Sequence, residues 1–189
     1  MKKYELTAEF IERWGKKLFR IKALISFGSV EAGELGGYVE KEDNLAQDGD
    51  AWVFGNARVY GNAEVCGDAM VCGNAEVYGN ARVYGDARVY GNARVCGDAR
   101  VCGNADYLLI GRIGSRFSFT TFFKNKDKGI TVSCGCFLGT IAEFRAKVTD
   151  THGNNKHAKI YNLAADMAEL QILGEEHFDK LNTNKSEPF

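Results

Sequence analysis

Histidine and cysteine are the side chains of this sequence that can act as a base, a nucleophile or a metal ligand near neutral pH. The histidines are His152, His157 and His177, all in the C-terminal third of the chain. A histidine there can supply a general base. Residues 151–156 around His152 are polar enough to bind an anion, and a connection between two helices explains them equally.

The cysteines show neither a metal-binding nor a disulfide pattern. Cys134-Gly135-Cys136 is a CxC pair without further ligands at the spacing of a zinc site. The first ten residues carry too much charge for a signal peptide, which favours reduced thiols. We expect small, buried and unreactive thiols, with no metal and no cofactor, at Cys66, Cys72, Cys96, Cys102, Cys134 and Cys136.

Positive charge concentrates in residues 112–159, which hold nine basic and three acidic side chains, a net of +6. Residues 35–106 hold six basic and eleven acidic side chains, a net of −5. The basic segment predicts a surface for phosphate, a nucleotide or nucleic acid. The alternative is ordinary solvated charge that docks on the acidic segment. The candidate anion-binding residues are Arg112, Arg116, Lys124, Lys126, Lys128, His152 and Lys156.

The element that must support these residues is a hexapeptide repeat. Nine consecutive hexapeptides of the form V-x-G-(N/D)-A-x run from Val53 to Asp106, with Met70 and Glu64 among the variable residues. A period of six fits neither a helix nor a long strand, but it fits a short strand followed by a corner. The Gly-Asn and Gly-Asp pairs predict the corners, because these residues tolerate the left-handed region.

Three such sides close one triangular coil of eighteen residues. Counted from Leu35, the sequence gives twelve hexads and therefore about four coils. In this register Gly49-Asp50-Ala51 is a regular corner, and Val39 falls in the alanine column. Lys41 and Gln47 then take the inward aliphatic place at the first rung.

Glycine and proline usage agrees with such a coil. The chain has 22 glycines and one proline, and the glycines from Gly49 to Gly103 recur in steps of six. Proline would be excluded because nearly every strand residue would donate its N–H to the next coil.

The repeat resembles the left-handed parallel β-helix of hexapeptide-repeat proteins, in which an aliphatic residue precedes a small one by four positions. Val59 and Ala63, and Val83 and Ala87, stand in those places. The resemblance implies a mainly β fold. Members of that family include acyltransferases with a histidine base beside the coil and carbonic-anhydrase-like proteins that bind zinc through histidines. No histidine lies inside this coil.

Most of the chain is also similar to uncharacterised phage and prophage proteins that carry such a coil. The similar stretches are LFRIKALISFGSVEAGELGGYVEKEDNLAQDGDAWV before the repeats and IGSRFSFTTFFKNKDKGITVSCGCFLGTIAEFRAKVTDTHGNNKHA after them. This resemblance implies a bacterial or viral source and no established activity.

Residues eighteen apart would stack into columns on three outer faces. One column is Glu40, Arg58, Glu76 and Arg94, with alternating charge, and a second face carries Glu64, Arg82 and Arg100 beside Cys66, Tyr84 and Cys102. The third face is apolar and predicts a subunit or partner interface, unless the flanks of the same chain cover it. The candidate interface residues are Trp52, Phe54, Met70, Arg88, Tyr90 and Leu108.

The flanks predict three further regions. Residues 1–34 form a helix-strand cap, in which Thr7 caps a helix that ends at Gly15 and residues 18–25 form a strand. Residues 107–174 form an α/β module, with a hairpin over 117–134. A helix follows from the Thr140 and Glu143 capping box to Gly153, and a largely buried helix covers 158–173. Residues 175–189 form a flexible tail.

These features predict a cytoplasmic, non-enzymatic binding or scaffold protein of phage or prophage origin. It would act through the β-helix faces and the basic module, and a bacterial host or defence factor is one expected target. Expected partners are a second copy in a dimer or trimer, a host protein, or a nucleotide or nucleic acid at residues 112–159, with no membrane. The alternative is an acyltransferase-like enzyme that uses His152 or His157.

Overall fold

The computed structural model describes residues 2–175, which form two units that divide after Asn104. Residues 176–189 lie outside this range. They include His177 and all of the predicted tail except Glu175. The N-terminal unit opens with an antiparallel hairpin of β1 (Tyr4–Arg13) and β2 (Lys16–Ala23). Next come β3 (Leu35–Val39) and the 3₁₀ turn Glu42–Asn44.

The repeats fold into a parallel β-solenoid of about four turns, which confirms the mainly β fold that the sequence predicts. Three parallel sheets run along it, in the strand orders β3-β5-β8-β11, β4-β7-β10 and β6-β9-β12. The strands from β4 to β12 are two residues long and lie at Trp52–Val53, Arg58–Val59, Glu64–Val65, Met70–Val71, Glu76–Val77, Arg82–Val83, Arg88–Val89, Arg94–Val95 and Arg100–Val101.

Along each side of the coil, side chains point alternately into the core and out to the surface. Every repeat alanine from Ala51 to Ala99 and every repeat valine from Val53 to Val101 is at most 1% exposed. Outward residues donate N–H groups to the next coil, as Tyr60 N–H does to the Val77 oxygen at an N···O distance of 3.0 Å, and corner residues such as Asn62 donate as well. The inward valines pair in the same ladders, as Val59 does with Val77, so proline is unsuitable at these positions as well.

The first coil is longer than the repeat predicts. Val39 pairs with Val59, twenty residues later, and Leu45 pairs with Val65 at the same offset. Val39 therefore lies in the valine column, and its predicted place in the alanine column is wrong. Lys41 is exposed and Gln47 is half-buried, so neither replaces an inward aliphatic residue.

Asn44 is the physical reason that this irregular rung is stable. Its side chain is fully buried, and Nδ2 donates to the carbonyl oxygens of Gly61 at 3.1 Å and Ala63 at 2.7 Å. A side-chain amide here bonds to carbonyl groups of the next coil, as backbone N–H groups do elsewhere in the solenoid.

The N-terminal cap is a strand where the sequence predicted a helix. Thr7 lies within β1, and Trp14 and Gly15, at φ 53° and 74°, form the two-residue turn to β2. Pairing of β1 with β2, and of β2 with β3, outweighs the local helix signals. The predicted strand over residues 18–25 is confirmed as β2.

The cap also closes the first coil through Lys3, which is 2% exposed. Its ammonium group lies 3.2, 3.2 and 3.0 Å from the carbonyl oxygens of Asp48, Gly49 and Ala51. Burial lowers the pKa of Lys3, although the charges of Asp48 and Asp50 oppose that shift.

The C-terminal unit packs two helices against a four-stranded antiparallel sheet. The strands β13 (Tyr107–Ile113), β14 (Ser118–Lys124), β15 (Ile130–Cys134) and β16 (Phe137–Thr140) pair in chain order. The helices are α1 (Ile141–His152) and α2 (Lys156–Leu173).

The predicted local signals in this unit are largely confirmed. The hairpin pairs β14 with β15, and the Glu143 carboxylate accepts the Thr140 N–H at 2.8 Å in the capping box. Hydrogen bonds from Thr140 lower the pKa of Glu143. However, α2 is buried on one face only, so the expectation of a largely buried helix is wrong.

The corner glycines provide a matched test of the stacked coils. Gly79 and Gly97 both have positive φ, but a Cβ at Gly79 would lie 2.9 Å from the Gly97 nitrogen, whereas a Cβ at Gly97 meets nothing within 4 Å. We expect Gly97→Ala to cost about 1–2 kcal/mol through backbone strain alone. Gly79→Ala should cost at least about 1 kcal/mol more, because the coils must also separate. Urea unfolding of both variants measures this difference, and equal losses would contradict it.

Candidate functional site

Four of the predicted anion-binding residues lie at the two opposite ends of strand β14. Arg116 precedes the start of β14, whereas Lys124 ends this strand and Lys126 and Lys128 follow it. A seven-residue strand spans roughly 20 Å, so these side chains do not form one site.

The lysine end of the sheet is a structured turn. The Lys124 ammonium group pairs with the Asp106 carboxylate at 3.1 Å. The side-chain oxygen of Asn125 accepts the N–H groups of Asp127 at 3.1 Å and Gly129 at 2.9 Å. The Lys124 charge is therefore paired within a structured turn, and we take the Arg116 end, where a cavity is present, as the candidate site.

A cavity of about 210 Å³ opens at the Arg116 end. Its lining includes the basic residues Arg116 and Lys147 and the imidazole of His152. Hydroxyl groups and apolar side chains complete the wall, and they come from Ser115, Ser118, Thr151, Tyr161, Phe137, Phe144 and Val148. Of the predicted residues, the structure brings Arg116 and His152 together here, and Arg112 and Lys156 are exposed elsewhere in the unit.

The end of α1 positions one side of the cavity. Lys147, Thr151 and His152 lie within its last two turns, and the helix ends where Gly153 donates its N–H to the Thr149 carbonyl at 2.8 Å. Positive charge is favourable at a helix C-terminus. The His152 ring stacks on the Tyr161 ring of α2, with centroids 5.7 Å apart.

The other side of the cavity depends on a close approach of the backbone to Tyr161. At Gly114, where φ is +71°, an added Cβ would overlap the Tyr161 hydroxyl. Burial raises the pKa of Tyr161, and neighbouring Cys134 adds to that shift while Arg116 opposes it. The hydroxyl therefore stays protonated at neutral pH and can donate a hydrogen bond.

The sequence did not indicate Tyr161, although it placed Lys147 in the basic segment and Thr151 in the polar stretch that could bind an anion. The predicted helix after Thr140 contained a usable signal, because positions 147, 148, 151 and 152 share one helical face. Tyr161 gave no such signal, since its role follows from packing against Gly114 and Phe144.

The cysteines are free thiols, but not all of them are buried. Cys96 is buried, whereas Cys102 and Cys136 are exposed, so the expectation of six buried thiols is wrong. Burial raises the pKa of Cys96. At the cavity, the Thr120 hydroxyl lies 3.2 Å from the Cys134 sulfur.

The charge columns on the solenoid are confirmed over the regular coils. The Glu76 carboxylate pairs with Arg58 at 3.2 Å and with Arg94 at 3.6 Å. Glu40 is displaced from this column by the longer first coil, and it pairs with Lys16 at 2.6 Å instead. The opposite charges therefore hold neighbouring coils in register.

On the second charged face, Glu64, Arg82 and Arg100 stack in the predicted order. Glu64 and Arg82 pair at 2.9 Å, while Arg100 pairs in the sheet with Arg82. The Arg100 guanidinium donates instead to the Asn80 carbonyl at 3.0 Å.

Two of the predicted interface residues, Trp52 and Leu108, do not lie on the exposed apolar face of the solenoid. Trp52 is fully buried, and the rings of Tyr4 and Phe27 pack on it at centroid distances of 6.0 and 5.4 Å. At Trp52, therefore, the N-terminal flank of the same chain covers the apolar face, as the alternative predicted. Leu108 lies in β13 of the C-terminal unit, so it does not extend the solenoid column.

The remaining interface candidates lie on the solenoid surface. Phe54 and Met70 are half-buried, and Arg88 and Tyr90 are exposed. Their role in a partner interface stays a prediction.

Within residues 2–175, no three His, Cys, Asp or Glu side chains converge in a way that could hold a metal ion. Over the same range, neither helix combines the length and apolar character that crossing a bilayer requires.

The stacked hexapeptide coils define a parallel β-solenoid protein. Among known families, the YdcK beta-solenoid repeat matches residues 75–91 and 87–103, which lie in the most regular coils. No curated protein matches the chain.

Arg145 belongs to the basic segment but not to the cavity. Its guanidinium joins α1 to α2 by donating to the Asp166 and Glu169 carboxylates, each at 2.7 Å. The Glu169 side chain is only 8% exposed, so this arginine neutralises a buried charge.

We expect Arg145→Met to destabilise the C-terminal unit by about 3 kcal/mol, because Glu169 would lose its ion-pair partner. Lys147→Met, on the exposed side of the same helix, should change the stability by less than about 0.5 kcal/mol. Adding Glu169→Gln to Arg145→Met should recover part of the loss. Urea unfolding provides the measurement, and equal effects of the two single variants would refute this role for Arg145.

Proposed function

We propose that this protein is a non-enzymatic binding protein whose C-terminal cavity holds an anionic group. The observation that carries the proposal is the convergence of Arg116, Lys147 and His152 on one cavity with hydroxyl donors and an apolar wall. Guanidinium, ammonium and hydroxyl groups are the usual protein ligands of phosphate and carboxylate. The solenoid, with its paired charge columns, acts as a scaffold.

The cavity size limits the ligand. At about 210 Å³ it lies below the usual range for sites that enclose a drug-sized molecule. We infer that the cavity takes a small phosphate or carboxylate compound, or only the anionic end of a larger one. The aromatic groups of Phe144 and Tyr161 favour a compound with an apolar or ring portion beside the anion.

The composition of the cavity favours binding over catalysis. Its lining residues, all within the described range, include no carboxylate that would orient a histidine base. The His152 ring instead contacts the rings of Tyr161 and His157, at 5.7 and 5.8 Å between centroids. The phage or prophage origin, the cytoplasmic location and a host or defence factor as partner stay predictions.

One observation supports an enzymatic alternative, since His152 shares its cavity with several hydroxyl groups. An acyltransferase-like enzyme would use this histidine as its base. Incubation with acetyl-CoA and a panel of amine and alcohol acceptors tests this alternative. Turnover that His152→Ala abolishes would replace the binding proposal, and no turnover is expected.

We expect calorimetric titration to show that phenyl phosphate binds more tightly than inorganic phosphate, because its ring can contact the apolar wall. Arg116→Gln should weaken phenyl phosphate binding at least about tenfold, since it removes a charge-assisted hydrogen bond. Lys128→Gln at the opposite end of the sheet should leave the affinity unchanged. Absence of binding at millimolar ligand, or equal losses in the two variants, would rule out the proposed site.

A further inference from the structure

Helix α2 has a second apolar face that residues 105–175 of its own unit leave exposed. One face packs in the core through residues such as Tyr161, Ala165 and Ala168. The opposite face exposes a stripe of four large apolar side chains. These are Ile160, Leu163, Met167 and Leu170, at 39%, 63%, 56% and 46% exposure. We call these four residues the α2 stripe.

The spacing of the α2 stripe is that of a helix-pairing seam. The steps from residue 160 to 163, 167 and 170 are three, four and three, which places the side chains at the a and d positions of a heptad repeat. Such a seam interdigitates with a second helix of the same spacing. A solvated helix face would normally be polar at these positions.

We propose that the α2 stripe pairs with the α2 stripe of a second copy of this chain, in antiparallel orientation. A symmetric pair about a point between Leu163 and Met167 would place Ile160 opposite Leu170 of the second copy. Each apolar side chain then meets another across the interface, as a two-fold axis requires.

Charges at the two ends of α2 favour the antiparallel orientation. Lys156 lies one heptad before Leu163, at the N-terminal end of the stripe, and Glu175 lies just beyond the C-terminal end. A parallel pair would place the Lys156 side chains of the two copies next to each other. An antiparallel pair instead places Lys156 near Glu175 of the second copy. The helix dipoles also favour the antiparallel arrangement.

The size of the seam determines how strong the association should be. One pair of helices with four apolar residues each buries less than a standard stable interface. We therefore expect a reversible dimer with a dissociation constant in the micromolar range, about 1–100 µM. This association is independent of the proposed anion site, because the stripe and the cavity use different residues.

Sedimentation velocity of the full chain tests the proposal between roughly 1 and 200 µM. We expect a shift from a 20.8 kDa monomer towards twice that mass. Leu163→Lys with Met167→Lys should raise the dissociation constant more than about 100-fold, since central anchors dominate such interfaces. Leu138→Lys is the matched control, because this exposed residue lies on β16 and should leave the dimer intact.

A charge exchange tests the orientation. Lys156→Glu should weaken the dimer several-fold, and adding Glu175→Lys should restore it. A chain that stays monomeric over the whole range would overturn the proposal. So would a dimer that survives the double lysine substitution, or one that forms only after residues 176–189 are removed, since those residues would then cover the stripe.

Discussion

The backbone hydrogen bonds between successive coils are the constraint on which the solenoid depends. Backbone N–H groups of one coil donate to carbonyl oxygens of the next, so each coil must repeat the geometry of the one before it. This requirement explains why Ala and Val fill two inward columns and why the corner glycines adopt positive φ. It also aligns outward residues into columns, which allows Glu76 to pair with arginines on both neighbouring coils.

Where the repeat begins, other groups replace the missing coil. The Asn44 amide donates to backbone carbonyls of the next coil, and the Lys3 ammonium group contacts three carbonyl oxygens of one corner. The β1-β2 hairpin extends the sheet of β3, so that the first strand is not left as an open edge. A buried lysine and a buried asparagine are thus parts of one cap rather than candidate functional groups.

Local patterns in the sequence predicted the elements that depend on local chemistry. The hexad period predicts the coil and the Thr140 capping box predicts the start of α1, because each pattern depends on contacts within a few residues. The strand β1 was missed because its pairing with β2 outweighs the helix signals at Thr7 and Gly15. The sequence indicated Arg116, His152 and the polar stretch with Thr151 but not the cavity itself, since a turn, the end of α1 and the first turns of α2 meet only after folding.

In the proposed function, the solenoid is a scaffold and the C-terminal unit is the binding module. The central claim is that an anion binds at the Arg116 end of the C-terminal sheet and not at its lysine end. Backbone amide NMR during titration with phenyl phosphate tests this most directly. We predict saturable shifts at Ser115–Ser118 and around His152, with none at residues 124–129. Shifts confined to residues 124–129, or no saturable shift at all, would contradict it.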